Sequence, residues 1–206
     1  MRKISDNKEL MKLCSFIVMG DGGLYKNKNC NNYKFIMNMK AEHLDYIEYC
    51  KDILDNISSA KIYNRKDYNN DGYNRKEQLT IVSKTHPFLT KIHDRIYIDN
   101  YKGLDPHAFK LFDWECLAIL FMCDGCSTIK KGYVDVTLNL KRLSYGDQLF
   151  LKKALKDKMN LEWNINRQNK YYYLRLRSKD INSFYNGIKP YILPSFSYKI
   201  LNVEPH

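Results

Sequence analysis

Asp21 and Asp124 are the residues best placed to do chemistry in this 206-residue chain. Each closes an apolar run and is followed by glycine: Cys14-Ser-Phe-Ile-Val-Met-Gly-Asp21-Gly22 and Leu117-Ala-Ile-Leu-Phe-Met-Cys-Asp124-Gly125. If each run is a helix, its carboxylate sits at the negative end of the macrodipole, which disfavours an anion by about 0.3–1 kcal/mol. Two matched copies of that arrangement call for a compensating cation. Were the two helices to lie side by side, their carboxylates would meet at one end. Like charges that close need a proton or metal ions between them. Carboxylates together with water and phosphate oxygens suit Mg²⁺. Paired metals beside a phosphodiester can activate water and stabilise the leaving oxygen of an in-line displacement. The blander reading, an Asp that merely ends its helix before a glycine turn, serves one copy better than two.

The elements that must position these carboxylates repeat. Met11, Cys14, Ser15 and Val18 share one face of the first run, and Trp114, Leu117, Ala118 and Phe121 share the matching face of the second. That is helical spacing, and the remaining faces are apolar enough to predict burial on two sides. Gly22 and Gly125 are expected to be left-handed caps just past the helices. A polar turn then leads to an alternating strand in each copy, Tyr33–Met39 and Tyr133–Leu140. An amphipathic helix follows, over 42–56 and 144–159. Next comes a hairpin, Lys61–Lys66 with Gln78–Ser83 around Asn69–Gly72, and Trp163–Arg167 with Lys170–Arg177 around Gln168-Asn169. A last helix closes each copy, near 86–97 and 180–188. The predicted class is α+β, with two pseudo-symmetric αββαββα halves. Residues 1–98 form the N-terminal half, 99–112 a linker containing Gly103 and Pro106, and 113–206 the C-terminal half.

Period-2 alternation assigns the strand faces. The apolar sets are Tyr33, Phe35, Met37 and Met39, then Val134, Val136, Leu138 and Leu140, then Tyr172, Leu174 and Leu176. With helices covering that side, the opposite face carries Lys34, Asn38, Lys40, Lys61, Tyr63, Arg65, Gln78, Thr80 and Lys84 in the first half. In the second half it carries Tyr133, Asp135, Thr137, Asn139, Lys141, Asn164, Asn166, Gln168, Tyr171, Tyr173, Arg175 and Arg177. Lys26, Lys28, Lys130 and Lys170 flank these faces in turns. Such side chains hydrogen-bond to phosphates and base edges, and a β-ribbon fits the major groove. Any solvated sheet face looks similar, so the charge is what tips the reading. Lys and Arg number 34 against 23 Asp and Glu, a net charge of +11. Both halves share it, at 17 − 13 = +4 for residues 1–100 and 17 − 10 = +7 for 101–206. A polyanionic partner is expected, with nucleic acid first. No apolar run reaches membrane-spanning length, and the N-terminal residues do not read as a signal peptide. The basic residues alternate on strands instead of lining one helix, which argues against a membrane-surface role. Six cysteines, at 14, 30, 50, 116, 123 and 126, read as reduced thiols of an intracellular protein. Cys123-Asp-Gly-Cys126 lacks the second pair a zinc site requires and closes a helix where a redox motif would open one.

The two helices resemble the two LAGLIDADG motifs of a single-chain homing endonuclease, and the likeness spans nearly the whole chain. It rests on Phe16-Ile-Val-Met-Gly-Asp-Gly-Gly-Leu24, Leu117-Ala-Ile-Leu-Phe-Met-Cys-Asp-Gly125 and Ile188-Lys-Pro-Tyr-Ile-Leu-Pro-Ser-Phe-Ser-Tyr-Lys199. Within the family it is most similar to the branch of the yeast mitochondrial omega-intron enzyme. The resemblance implies paired helices at a domain interface, with Asp21 and Asp124 as metal ligands helped by the carbonyls of Gly20 and Cys123. It implies saddle-shaped antiparallel sheets in the major groove, cleavage across the minor groove and short 3′ overhangs. It implies a basic residue from each half near the scissile phosphates, Lys102 and Lys199 by position. Mg²⁺ is the expected cofactor, with Mn²⁺ substituting and Ca²⁺ supporting binding without cutting. The partner is double-stranded DNA with a long asymmetric site, bound by a monomer. Intron RNA, bound by a maturase of the same fold, is the alternative, and a DNA-binding protein that does not cut is a third. The motifs depart from the pattern at Phe16 and Ile119, where a small residue is usual, and at Cys14, which replaces Leu.

Overall fold

Asp6 and Asp113 start the two apolar helices by the same device, a side-chain carboxylate that accepts from an otherwise unpaired backbone N–H of the first turn. In the computed structural model, which describes residues 2–65, 77–130 and 132–201, Asp6 accepts from Lys8 N at 2.8 Å and Asp113 from Cys116 N at 3.0 Å. The chain divides into two units, Met1–Asp94 and Arg95–His206.

The first unit runs α1 (Asn7–Met19), β1 (Gly23–Tyr25), β2 (Lys34–Lys40), α2 (Leu44–Leu54), β3 (Ala60–Arg65) and β4 (Gln78–Ser83), and α3 (Pro87–Ile96) closes the plan. Its strands form one antiparallel sheet in the order β1-β2-β4-β3. Phe35, Met37, Leu79 and Ile81 alternate inward and are buried together with Tyr46, Ile47, Cys50, Ile53 and Leu54 of α2. The Asn69–Gly72 turn lies outside the described residues.

The second unit repeats the plan after an insertion. A short pair, β5 (Tyr97–Ile98) and β6 (Tyr101–Lys102), precedes α4 (Pro106–Phe109). Then come α5 (Trp114–Asp124), β7 (Gly125–Lys130), β8 (Tyr133–Leu138), α6 (Tyr145–Met159), β9 (Trp163–Gln168), β10 (Tyr171–Leu176) and α7 (Ile181–Ile188). The sheet order β7-β8-β10-β9 matches that of the first unit. Ser144 and Asp147 form a capping box at the start of α6, and Asn160 ends that helix in a left-handed conformation. Trp163, Phe121 and Phe184 stack edge-on at the centre of the core, with ring centroids 5.0 and 5.7 Å from Phe184. Within 99–112, Leu104, Asp105, Ala108, Phe109 and Phe112 are buried. Asp105 caps α4 through His107 N at 2.9 Å.

The glycines after the acidic helices differ from expectation. Gly125 is extended (φ −84°, ψ 152°), and Gly22 is not among the positive-φ glycines, which number one among the described residues, Gly132. Neither is a left-handed cap. α5 passes directly into β7, α1 reaches β1 through the three residues Gly20, Asp21 and Gly22, and what demands glycine is space. A Cβ on Gly22 would lie 2.4 Å from Phe35 Cε2 and 2.8 Å from the Ile17 carbonyl oxygen. A Cβ on Gly125 would lie 2.0 Å from Phe121 Cδ2 and 2.5 Å from the Phe121 carbonyl oxygen. The backbone oxygen cannot rotate away, so Gly125→Ala should destabilise the protein by about 1–3 kcal/mol, the usual range for overpacking. Urea unfolding of the two proteins side by side checks this, and an unchanged midpoint would show that the turn has slack.

Candidate functional site: two acidic helix ends and two polar sheet faces

Each unit delivers one carboxylate at the end of a buried helix. Leu13–Met19 of α1 and Cys116–Met122 of α5 are buried without interruption, so neither helix has a wet face over its last turns. In the first unit Gly20 N donates to Phe16 O and Gly22 N to Ile17 O, ending α1. Asp21 stands between them, exposed, with no hydrogen bond or ion pair among the described residues.

Asp124 is held differently. Its side chain is 20% exposed, and Arg142 Nη1 lies 3.3 Å from Oδ2. Its carbonyl accepts from Asn139 N at 2.8 Å. One turn back, Lys199 Nζ donates to Met122 O at 2.6 Å and to Phe121 O at 3.2 Å. Lys199 is only 8% exposed and lies over the rings of Phe121 and Phe196. It therefore caps α5, donating to the Met122 carbonyl, adding a second donor to Phe121 O, which already accepts from Gly125 N, and placing positive charge at the negative end of the dipole. Lys102 is half-buried on β6. Its hairpin turns through Asp99 and Asn100, both left-handed, and is fastened to α6 by Tyr101. The tyrosine hydroxyl donates to Asp147 Oδ2 at 2.8 Å and accepts from Ser144 N at 2.6 Å. Gly20 is the buried C-cap residue of α1, and Cys123 lies half-buried in the last turn of α5. All six cysteines are free, and burial pushes the Cys14 thiol well up from its ordinary range.

The sheet registers gather the polar residues. In the first unit one row runs Asn38–Thr80–Tyr63 and the next Lys40–Gln78–Arg65, with Lys34 and Lys61 in neighbouring rows. Thr80 Oγ1 donates to Asn38 Oδ1 at 2.6 Å, aligning two side chains on that face. Lys26, Lys28 and Lys84 are exposed in the connecting loops. In the second unit the rows run Thr137–Arg175–Asn164 and, along the outer hairpin, Tyr173–Asn166 and Tyr171–Gln168. Asn139 Nδ2 donates to Thr137 Oγ1 at 3.1 Å. Lys141, Lys170, Tyr133 and Tyr171 are exposed. Arg177 is turned to Glu162, with Nη1 2.6 Å from Oε2. Lys156 and Lys179 join it there and pull the Glu162 carboxyl down to about 2.

Asp135 stands out on a face otherwise neutral or basic. It is 6% exposed, accepting from Arg175 Nε at 2.6 Å on Oδ1 and from Lys130 Nζ at 2.8 Å on Oδ2. Burial raises its pKa, and the hydrogen bonds and charges of Lys130 and Arg175 more than reverse that, leaving it below the ordinary carboxylate range. Sequence reasoning missed three contributors. Cys126 and Thr128 of β7 pair with Thr137 and Asp135 and so belong to the same face, but the β7 segment does not alternate. Arg142 has no local signal of its contact with Asp124. Its Nε and Nη2 are buried without a hydrogen-bond partner.

Among the described residues, no group of three or more His, Cys, Asp or Glu side chains could hold a metal unaided. A metal bound by Asp21 or Asp124 would take its other ligands from backbone carbonyls, water or a phosphate. Oxygen donors of this kind would suit a hard divalent cation.

Comparison with known proteins matches residues 17–184 to the LAGLIDADG DNA endonuclease family. A probable intron-encoded endonuclease of Wickerhamomyces canadensis is 28% identical over 87% of this chain and 79% of its own length. A RecA protein of Mycolicibacterium flavescens is 28% identical over 97% of this chain, and the chain spans 47% of that relative's length. The cytochrome b mRNA maturase bI2 of Saccharomyces cerevisiae is 24% identical over 95% of the chain, which spans 48% of it. The structure of the homing endonuclease I-WcaI bound to its DNA recognition sequence superposes with a TM-score of 0.80 at 23% identity, covering 98% of this chain and 90% of that one. That of I-DmoI with DNA and Mn gives 0.54 at 16% identity, over 89% and 97%. The likeness to the solved structures establishes the fold of two αββαββα halves.

If Lys199 is the cap of α5, Lys199→Met should take its donor from the buried Met122 carbonyl and leave Phe121 O with Gly125 N alone. The expected cost is about 1–3 kcal/mol, read as a lower urea midpoint. A midpoint equal to that of the wild type would show that the ammonium group does not hold the helix end.

Proposed function

The chain belongs to the LAGLIDADG DNA endonuclease family, and from that membership we propose that it cuts double-stranded DNA at one long asymmetric site by metal-dependent phosphodiester hydrolysis. The observation that carries the reading is the pairing, in both units, of an acidic helix end with a four-stranded antiparallel sheet whose exposed face is polar and basic. The sheets bind. Their Lys, Arg, Asn, Gln, Thr and Tyr side chains suit phosphates and base edges in the major groove. The carboxylates hold metal. Asp21 and Asp124 act as ligands, with the carbonyls of Gly20 and Cys123 beside them. When bound, a divalent cation supplies a Lewis acid that activates water and neutralises charge on the leaving oxygen. Lys102 and Arg142 supply positive charge at the phosphates. Lys199 acts on the same centre by fixing the end of α5. Mg²⁺ is the working ion in this reading, Mn²⁺ replaces it, and Ca²⁺ supports binding without cutting.

Because one chain carries both aspartates, a monomer suffices, and because its two faces differ in residue detail, the target is asymmetric. Cutting leaves short 3′ overhangs. No helix among the described residues is long and apolar enough to cross a membrane. The second reading is intron RNA binding, favoured by the similarity to a cytochrome b mRNA maturase over 95% of the chain.

Selection from a random duplex library in Ca²⁺, followed by transfer of the bound pool to Mg²⁺, tests the proposal. One long asymmetric site should be enriched and then cut on both strands. Asp21→Asn and Asp124→Asn should each abolish double-strand cutting while leaving affinity for the selected site within about threefold, since neither touches a sheet face. Equal loss of binding and cutting in both variants would remove the aspartates from the metal role. Affinity should also fall steeply with salt, by about 10³-fold or more between 50 and 200 mM if six or more phosphates are contacted. A selection that enriches no duplex, with tight binding to the host intron RNA, would favour the maturase.

A further inference from the structure

Asp135 is a carboxylate on a face that, in the reading above, meets a polyanion. Facing DNA unneutralised, it would repel the ligand. Here both oxygens are engaged, Oδ1 by Arg175 Nε and Oδ2 by Lys130 Nζ, and the group is nearly fully buried. One carboxylate between two cations leaves that patch with net positive charge. Asp135 is thus poorly placed to touch DNA itself and well placed to hold the two side chains that do.

Arg175 is the one it holds by direction. β10 is an interior strand, and Arg175 pairs with Thr137 on one side and Asn164 on the other, so the residue sits near the middle of the sheet. Its side chain is 49% exposed. Anchoring at Nε fixes the plane of the guanidinium and leaves Nη1 and Nη2 without a hydrogen-bond partner among the described residues. Two parallel donors on a fixed planar fork match the N7 and O6 acceptors of guanine, and neither a lysine nor a freely rotating arginine matches them as well. Thr137 is itself steadied by Asn139 Nδ2, so the neighbouring polar surface is ordered too. The described side chains in the register rows of the first sheet include no carboxylate. There a Thr80–Asn38 hydrogen bond takes the central place.

We propose that Arg175 reads a guanine in the half of the target bound by the second unit, and that Asp135 is the positioning residue that aims its guanidinium. The inference rests on the proposed binding of duplex DNA by this sheet face and adds the base that one side chain recognises. The first half-site carries no equivalent clamp on the described side chains, so the two halves should differ in how strictly one guanine is required.

The test is base preference, position by position, in the duplex selection with Ca²⁺ as the ion. Wild-type protein should require one G·C pair in one half-site, with substitution there weakening binding by about 10- to 100-fold. Arg175→Lys keeps the charge and loses the fork. It should erase the preference at that pair and leave the other positions as they were. Asp135→Asn should relax the same pair, by about threefold or more, without weakening binding to unrelated duplex, since it removes a negative charge. Circular dichroism and the urea midpoint establish that each variant is folded, and Arg175→Lys carries the test if Asp135→Asn is not. A folded Arg175→Lys protein with every base preference intact overturns the proposal, as does one weakened equally at all positions, which marks a phosphate contact. A folded Asp135→Asn protein with the guanine requirement undiminished overturns the positioning role. If wild-type protein enriches no duplex at all, the DNA reading itself fails and this inference with it; an enriched site indifferent to Arg175 fails the inference alone.

Discussion

The whole arrangement depends on a helix that must give way to a strand beside its carboxylate with almost no chain to spare, at Asp124–Gly125 in one unit and over Gly20–Gly22 in the other. At Gly22 and Gly125 the space beside the backbone is already occupied, by Phe35 and the Ile17 carbonyl in one unit and by Phe121 in the other. No side chain fits there, and the chain leaves the helix by one tight turn in the first unit and by none in the second. This tightness ties each aspartate to the first strand of its sheet. A longer connection would let the carboxylate drift relative to the strands by several ångströms, since each residue spans about 3.3 Å when extended. The positions of each carboxylate and of its sheet face are coupled because the connection has little room for play.

The sheets can be polar on one side because their helices cover the other. Phe35, Met37 and Ile81 in the first unit, and Val136, Leu138 and Leu174 in the second, bury the inward set. A one-residue slip of register would exchange the two faces completely. The core therefore sets which residues are offered to a ligand. Long basic side chains on such a face are mobile unless something holds them. The second sheet holds its central arginine through Asp135, and the first holds a neutral pair through Thr80 and Asn38.

Much of this was legible in the amino-acid sequence, and what was not has physical causes. The α6 helix announces itself through Ser144 and Asp147, and the Trp163–Leu176 hairpin through alternation at its base, over 163–166 and 173–176. Both signals are local. β7 is silent because Gly125, Ser127 and an exposed Ile129 fill its alternate positions, so its strand state is imposed by β8. Gly103 and Pro106 mark breaks in the chain, but breaks do not reveal whether the pieces between them are packed. Here Leu104, Phe109 and Phe112 are buried. A glycine just past a helix usually means left-handed backbone, whereas at Gly22 and Gly125 it means contact. The partners of the α5 end were beyond reach. Lys199 meets Met122 across 77 residues and Arg142 meets Asp124 across 18, and no period encodes such distances.

Those partners make the two acidic ends chemically unequal. Asp21 is exposed and unpaired among the described residues, whereas Asp124 shares an oxygen with Arg142 beneath a helix end already capped by Lys199. A cation approaching Asp21 meets an exposed carboxylate. One approaching Asp124 must share a carboxylate with a guanidinium and enter a region that carries two positive side chains. Nearby positive charge lowers the affinity of a carboxylate for further cations, by an amount that grows as the group is shielded from solvent. The same guanidinium keeps two buried N–H groups without acceptors, a cost that an incoming phosphate oxygen would remove. The second end therefore combines a carboxylate less open to a cation with buried donors suited to an anion, a combination that the first end lacks among the described residues.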